Sequence, residues 1–300
     1  MARWPRPLIG ASPLIWPAAR SATWLACWLL PINLLGELGE VPSVPSSCFM
    51  QAYGPGFARI YNLRWTSFAN QAAPLIHEFY ATTPIGRANK RVLDLCCGTG
   101  QLAVYFLDRG YTVVGLDLSD HMLRYAQENA YHYVESGQVR FIQGDASHFT
   151  LDERCGLVVS TFDALNHLEN EEALRACFQC VYTVNDGYFI FDLNTRAGLQ
   201  RWNNIHVDES SDEAVIISRG LYDEQNERAW TRISGFVRTA GGLYQRFEET
   251  AFNTVFDLER VRNALLEIGW SHVYFARLQA LAIPLPDPEQ EGRVFIVACK

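Results

Sequence analysis

Three acids stand in or just after three apolar runs in the first half of the chain. Asp94 interrupts Val92–Leu95, Asp117 closes Thr112-Val113-Val114-Gly115-Leu116, and Asp145 closes Val139-Arg140-Phe141-Ile142-Gln143-Gly144. A loop of small residues, Cys96-Cys97-Gly98-Thr99-Gly100, follows the first run. With no side chains at Gly98 and Gly100, backbone N–H groups and a helix N-terminus can approach a polar ligand closely. A carboxylate at the end of a second strand accepts both hydroxyls of a ribose. Asp145 stands where an adenine amino group needs an acceptor. Three acids at one rim describe a nucleoside-shaped site.

Strands and helices must hold these residues in place. Val92–Leu95, the glycine loop and an amphipathic run to Arg109 read as strand, turn and helix, with Gly110 as the left-handed cap. Thr112–Asp117 and Val139–Ala146 read as the second and third strands. Cys155–Thr161 gives a fourth, followed by a helix capped by Asn170 with Leu174, Cys177, Phe178, Val181 and Tyr182 on one face. Asn185-Asp186-Gly187 turns into a fifth strand, Tyr188–Asp192, which leaves through Asn194. Ligands of open α/β sheets lie beyond the carboxyl ends of the strands, so Asp163, Asn166, His167, Asp192 and Asn194 form a candidate rim.

On these residues the sequence resembles the class I S-adenosylmethionine-dependent methyltransferase family. The matching stretches are Val92 to Gly100, Val114-Gly115-Leu116-Asp117-Leu118-Ser119, and Gly144-Asp145-Ala146. The resemblance covers roughly residues 50 to 300, with Cys96 where the family usually has glycine. It implies an α/β fold: a seven-stranded doubly wound, Rossmann-like methyltransferase sheet whose last strand is antiparallel. It implies S-adenosylmethionine as cofactor, held by Asp94, Cys96, Cys97, Gly98, Gly100, Asp117, Leu118, Met122, Asp145, Ala146 and Phe162. A nicotinamide oxidoreductase is the rival. Gly98 to Ala103 fits its glycine fingerprint, and Asp117 lies at about the required distance, but that fingerprint calls for neither Asp94 nor Asp145.

Residues 207–256 break the α/β rhythm and read as an inserted antiparallel β-meander of three strands. The meander resembles that of small-molecule N-methyltransferases, including amino-sugar and glycine-type enzymes. The expected reaction is one in-line methyl transfer to a small molecule at nitrogen or oxygen, which needs alignment and exclusion of water. His167 is the candidate catalytic base if the acceptor must lose a proton. The meander is expected to roof the acceptor, placing Asn166, Asn194, Trp230, Arg232, Tyr244 and Arg246 on substrate, with Tyr61 and Trp65 from the N-terminal side. The stretch after the fourth strand lacks the Asn/Asp-Pro-Pro-aromatic motif of adenine and glutamine amide methylation. A non-catalytic sensor or scaffold that binds the cofactor is the alternative of a different class.

Composition sets outer limits. A net charge of −8 without a basic stripe argues against nucleic acid as partner. A homodimer is compatible with the sequence. Of eight cysteines, Cys177 and Cys180 form a lone C-x-x-C without the second pair a zinc site needs. They read as buried reduced thiols, which implies a reducing, cytoplasmic setting. Residues 1–49 carry seven prolines and tryptophans at 4, 16, 24 and 28, and no stretch long enough to span a membrane. They are expected to be a disordered leader or not part of the working protein, with the methyltransferase domain at 50–300. Met50 to Pro84 reads as a helical lead-in broken by Pro74 and Pro84.

Overall fold

The computed structural model describes residues 53–300; the expectation for residues 1–49 lies outside them. The lead-in forms α1 (Pro55–Arg64), α2 (Ser67–Thr82) and α3 (Pro84–Ala88). The break falls at Trp65, and α2 runs straight through Pro74. Proline there removes the bond to the carbonyl of Asn70, an exposed residue whose carbonyl water can serve.

The alternation of strand and helix then follows the sequence closely. β1 (Arg91–Leu95), α4 (Gln101–Leu107), β2 (Thr112–Asp117), α5 (Asp120–Asn129), α6 (Tyr131–Glu135), β3 (Val139–Gln143), β4 (Cys155–Ser160), α7 (Glu171–Val184) and β5 (Asn185–Asn194) come in turn. Side chains at the helix starts supply the caps: Ser119 accepts from Met122 N and Asn170 from Ala173 N. β5 begins at Asn185, directly after α7, so the expected turn at 185–187 is absorbed into the strand. After α8 (Arg196–Leu199) the chain forms β6 (Ile205–Ser211), β7 (Ala214–Asp223), β8 (Arg228–Arg238) and β9 (Tyr244–Thr254). α9 (Leu258–Ile268), capped by Asp257, leads to β10 (His272–Ala276) and β11 (Arg293–Cys299).

The main sheet has the order β10-β11-β5-β4-β1-β2-β3. β1 to β5 are parallel and β11 runs antiparallel to both its neighbours. Both faces are covered, so the strands are apolar throughout. Leu93, Leu95, Phe189 and Phe191 pack with α7 and α9 on one face. Val92, Ile190 and Val297 pack with α2 and α4 on the other. Truncating one of these buried rings to alanine costs roughly 3–5 kcal/mol.

The inserted meander is a separate antiparallel sheet of order β6-β7-β8-β9. It has one strand more than the sequence suggests. β6 is the exposed edge strand, and a polar edge carries no clean alternation of buried and exposed residues.

Candidate active site

The glycine turn follows from the backbone. Cys96, Gly98 and Gly100 take φ values of 59°, 54° and 82°, which reverse the chain between β1 and α4. A Cβ on Gly98 would stand 3.4 Å from the Tyr61 ring. The bare turn therefore lies flush against α1. Gly98 N donates to Asp117 Oδ2 over 2.8 Å and Ser119 N to Asp117 Oδ1 over 2.9 Å. These bonds bind the turn to the end of β2. Burial pushes the Asp117 carboxyl up, and backbone donors including Ser119 and Gly98 pull against it.

Above this turn lies a cavity of about 410 Å³. Its floor is Cys96, Gly98, Asp117, Leu118, Met122, Asp145, Ala146 and Phe162. α1 and the residues before it contribute Tyr53, Phe57, Tyr61 and Trp65. The inner face of the meander contributes Ser218, Thr231, Ile233, Ala251 and Asn253, and Trp202, His167, Asp163 and Arg293 complete the wall. Asp145 Oδ1 accepts from Ser147 N and Oγ, while Oδ2 has no partner among the described residues.

Phe162 and Asp163 are consecutive left-handed residues, with φ of 68° and 51°. Such a pair costs roughly 1–3 kcal/mol per residue. Asp192 at the end of β5 holds it: Oδ1 accepts from Phe162 N over 2.6 Å and Oδ2 from Asp163 N over 2.9 Å. Arg293 from β11 closes the cluster. It donates to Asp192 Oδ2 and, over 2.6 Å, to Asp163 Oδ1. Two carboxylates against one guanidinium leave the wall electronegative.

Tyr53 and His167 meet in the cavity wall. Tyr53 Oη lies 2.8 Å from His167 Nε2, and His167 Nδ1 lies 2.6 Å from the carbonyl of Phe252. A carbonyl only accepts, so Nδ1 carries the hydrogen. Nε2 of the neutral ring is then the acceptor of the Tyr53 O–H. Burial lowers the His167 pKa, partly offset by Asp163 and the Phe252 carbonyl. Burial raises that of Tyr53. At neutral pH the proton rests on Tyr53.

A methyltransferase domain model matches residues 92–187. A ubiquinone biosynthesis O-methyltransferase of Pseudomonas fluorescens (strain Pf0-1) is 35% identical over 164 residues, 51% of this chain and 67% of the relative. The chain belongs to the class I S-adenosylmethionine-dependent methyltransferase family. Over a longer span, a protein of Geobacillus sp. named as a methyltransferase is 28% identical over 214 residues, 70% of this chain and 85% of the relative. An S-adenosylmethionine-dependent methyltransferase structure from Clostridium acetobutylicum superposes with a TM-score of 0.66 at 21% identity. It covers 81% of this chain and 97% of that one.

The residues of this methyltransferase fit its cofactor. The Asp117 carboxylate keeps lone pairs beyond its two backbone bonds, Asp145 Oδ2 has no partner among the described residues, and the turn at Gly98 presents no side chain. Of the residues expected on the cofactor, Asp94, Cys97 and Gly100 lie outside the cavity wall. Asp94 is buried behind the turn, with Oδ2 unpartnered and the backbone of Ala103 as its donor. Cys97 is buried, its N–H bonded to Leu116 O over 3.0 Å. At Gly100 a Cβ would meet Ala126 Cβ at 3.0 Å, so glycine serves the packing of α4 on α5.

Of the residues expected on the acceptor or as base, Tyr61, Trp65 and His167 line the cavity of the methyltransferase; Asn166 and Asn194 do not. Asn166 is a fully buried tie. Its Nδ2 donates to Asn194 O and Thr254 O, and its Oδ1 accepts from Asn194 N. Asn194 Nδ2 donates to Asn253 Oδ1, joining the main sheet to the meander. Trp230, Arg232, Tyr244 and Arg246 are likewise off the cavity. Side chains alternate along a strand, and Thr231, Ile233, Ala251 and Asn253 hold the inward positions. Arg232 and Arg246 both pair with Glu248 on the outer face, Trp230 sits by Phe252, and Tyr244 donates to Asp212 O. Arg293 escaped the sequence reading, because no local pattern links it to Asp163, 130 positions earlier.

Cys177 and Cys180 sit on α7, the first fully buried and the second half-buried against Ser147 O. Among the described residues, no helix is long and apolar enough to cross a membrane.

Proposed function

We propose that the enzyme methylates the nitrogen of a small amine. In this reading Asp117 receives the ribose hydroxyls of the cofactor and Asp145 its adenine amino group. Cys96, Leu118, Met122, Ala146 and Phe162 enclose the nucleoside. Bound there, S-adenosylmethionine supplies a methyl group carried on a positively charged sulfonium. Tyr61, Trp65 and Phe162 exclude water and turn aromatic rings toward that charge. A space of about 410 Å³ shared with the cofactor admits only a small acceptor. The net charge of −8 speaks against nucleic acid in its place.

The Tyr53–His167 bond of 2.8 Å carries the amine assignment. An amine attacks through its lone pair and sheds a proton as the new bond forms. Tyr53 Oη accepts that proton while its own passes to His167 Nε2. The imidazolium is then held by the Phe252 carbonyl on one side and favoured by Asp163. A neutral amine attacks without prior loss of a proton, whereas an aliphatic hydroxyl must lose one to become a good nucleophile, so a weak base is a lesser handicap with an amine.

Oxygen methylation is the second reading, favoured by the Pseudomonas fluorescens relative named as an O-methyltransferase. The test is a screen with methyl-labelled cofactor against pools of small amines, small hydroxy compounds and RNA. Label in an amine supports the proposal. Label in a hydroxy compound supports the second reading. Tight cofactor binding with no transfer to any pool points to a sensor.

A further inference from the structure

Tyr53 holds a costly conformation. Its φ is 75°, a left-handed value that a bulky aromatic residue adopts only when its surroundings impose it. Three bonds impose it. Tyr53 N donates to Glu249 Oε2 over 2.7 Å, Ser119 Oγ donates to Tyr53 O over 2.8 Å, and Tyr53 Oη reaches His167.

Glu249 does more than hold one amide. Gly54, the residue before α1, has no side chain to cap that helix. Gly54 N instead donates to Glu249 Oε2 over 3.1 Å, and Phe57 N–H also faces this carboxylate. A side chain at 54 would push this carboxylate aside, since a Cβ there would stand 2.9 Å from Glu249 Oε1. A carboxylate at a helix start is doubly favoured, by unpaired N–H groups and by the helix dipole. Glu249 is half-buried on the inner side of β9, opposite Ile233. Three residues further along the same strand, the Phe252 carbonyl fixes His167. One strand therefore grips both halves of the pair.

We propose that Glu249 is a positioning residue for methyl transfer: it caps α1 from the adjoining strand β9 and thereby sets Tyr53 Oη on His167 Nε2. This role rests on the reading of Tyr53 and His167 as the proton-accepting pair. Glu249 touches neither proton. Without its carboxylate the left-handed residue relaxes, and the phenol leaves the imidazole.

The test needs no acceptor. Imidazole nitrogen resonances of the full chain are recorded by nitrogen-15 NMR, and His167→Asn identifies His167 among the seven histidines. Tyr53→Phe removes the donor and moves the Nε2 resonance of His167. Glu249→Ala should move it in the same direction by a similar amount, and the double variant should move it no further. Glu249→Gln, whose amide oxygen accepts the same two N–H groups, should stay near wild type. If Glu249→Ala fails to fold, Glu249→Asp, shorter by one methylene, takes its place with the same expected direction. A folded Glu249→Ala or Glu249→Asp protein whose Nε2 resonance stays at the wild-type position overturns the proposal. Turnover of Tyr53→Phe tests the underlying reading separately. Unchanged turnover removes the pair from the reaction, whereas a resonance indifferent to residue 249 removes only the hold of Glu249 on the pair.

Discussion

Tyr53 and His167 are 114 positions apart in sequence and 2.8 Å apart in space. His167 is committed through Nδ1 to the Phe252 carbonyl, so only Nε2 is left to take a proton. Burial holds its pKa below the ordinary imidazole value, about 6.5. The sign follows directly. The neutral, working ring is populated above the lowered pKa and lost as pH falls through it. On titration by nitrogen-15 NMR, the midpoint of the His167 imidazole should fall below 6.5. A midpoint at or above 6.5 contradicts a buried, neutral His167.

Asp117 should dominate cofactor affinity. Asp117→Ala removes charge-assisted hydrogen bonds worth roughly 1.5–3 kcal/mol, so affinity should fall at least tenfold. Stability should fall too, because Gly98 N and Ser119 N lose their acceptor. Calorimetry on the folded variant with unchanged affinity would sink the ribose assignment.

The two faces of the meander should respond differently. Ala251 lies on the cavity wall, whereas Arg232 and Arg246 lie outside with Glu248. Ala251→Phe fills acceptor space and should raise acceptor KM tenfold or more, about 1.4 kcal/mol, with cofactor affinity held. Arg232→Ala and Arg246→Ala should stay within about twofold of wild type, as exposed ion pairs contribute little. Steady-state kinetics showing the reverse pattern would mean that the outer face is the working one.

Asp94 should set a pH dependence of stability. Burial raises its pKa from 3.8 to about 7. Between these values the folded state keeps a proton that the unfolded state has released, so stability falls as pH rises and levels off above 7. At about 1.4 kcal/mol per pH unit, the upper bound is about 4 kcal/mol. Asp94→Asn should flatten this slope. Denaturant titrations of both proteins at pH 4 and pH 8 check it, and a constant difference between them would show that Asp94 ionises normally.

Most of the fold was legible because both sheet faces are covered. Val92, Leu93 and Leu95 need no alternation to announce a buried strand, and Ser119, Asn170 and Asp257 mark helix starts by their capping chemistry. The cavity floor was legible for the same local reason, since Asp117 ends β2 and Asp145 lies just past β3. The roof was not. A strand read one residue out of phase exchanges its faces, and the large polar residues Arg232 and Arg246 drew attention to the outer one. Asn166 looked like a ligand-binding group because burial by three backbone partners leaves no trace in sequence. Tyr53 meets its partners only in the folded chain, where β9 carries Glu249 and, through the Phe252 carbonyl, holds His167.

The most direct measurement is the single-turnover rate of S-adenosylhomocysteine formation with saturating amine acceptor, comparing wild type with Tyr53→Phe. The account predicts a tenfold or greater loss in the folded variant with cofactor affinity unchanged. Equal rates in the two proteins would contradict it.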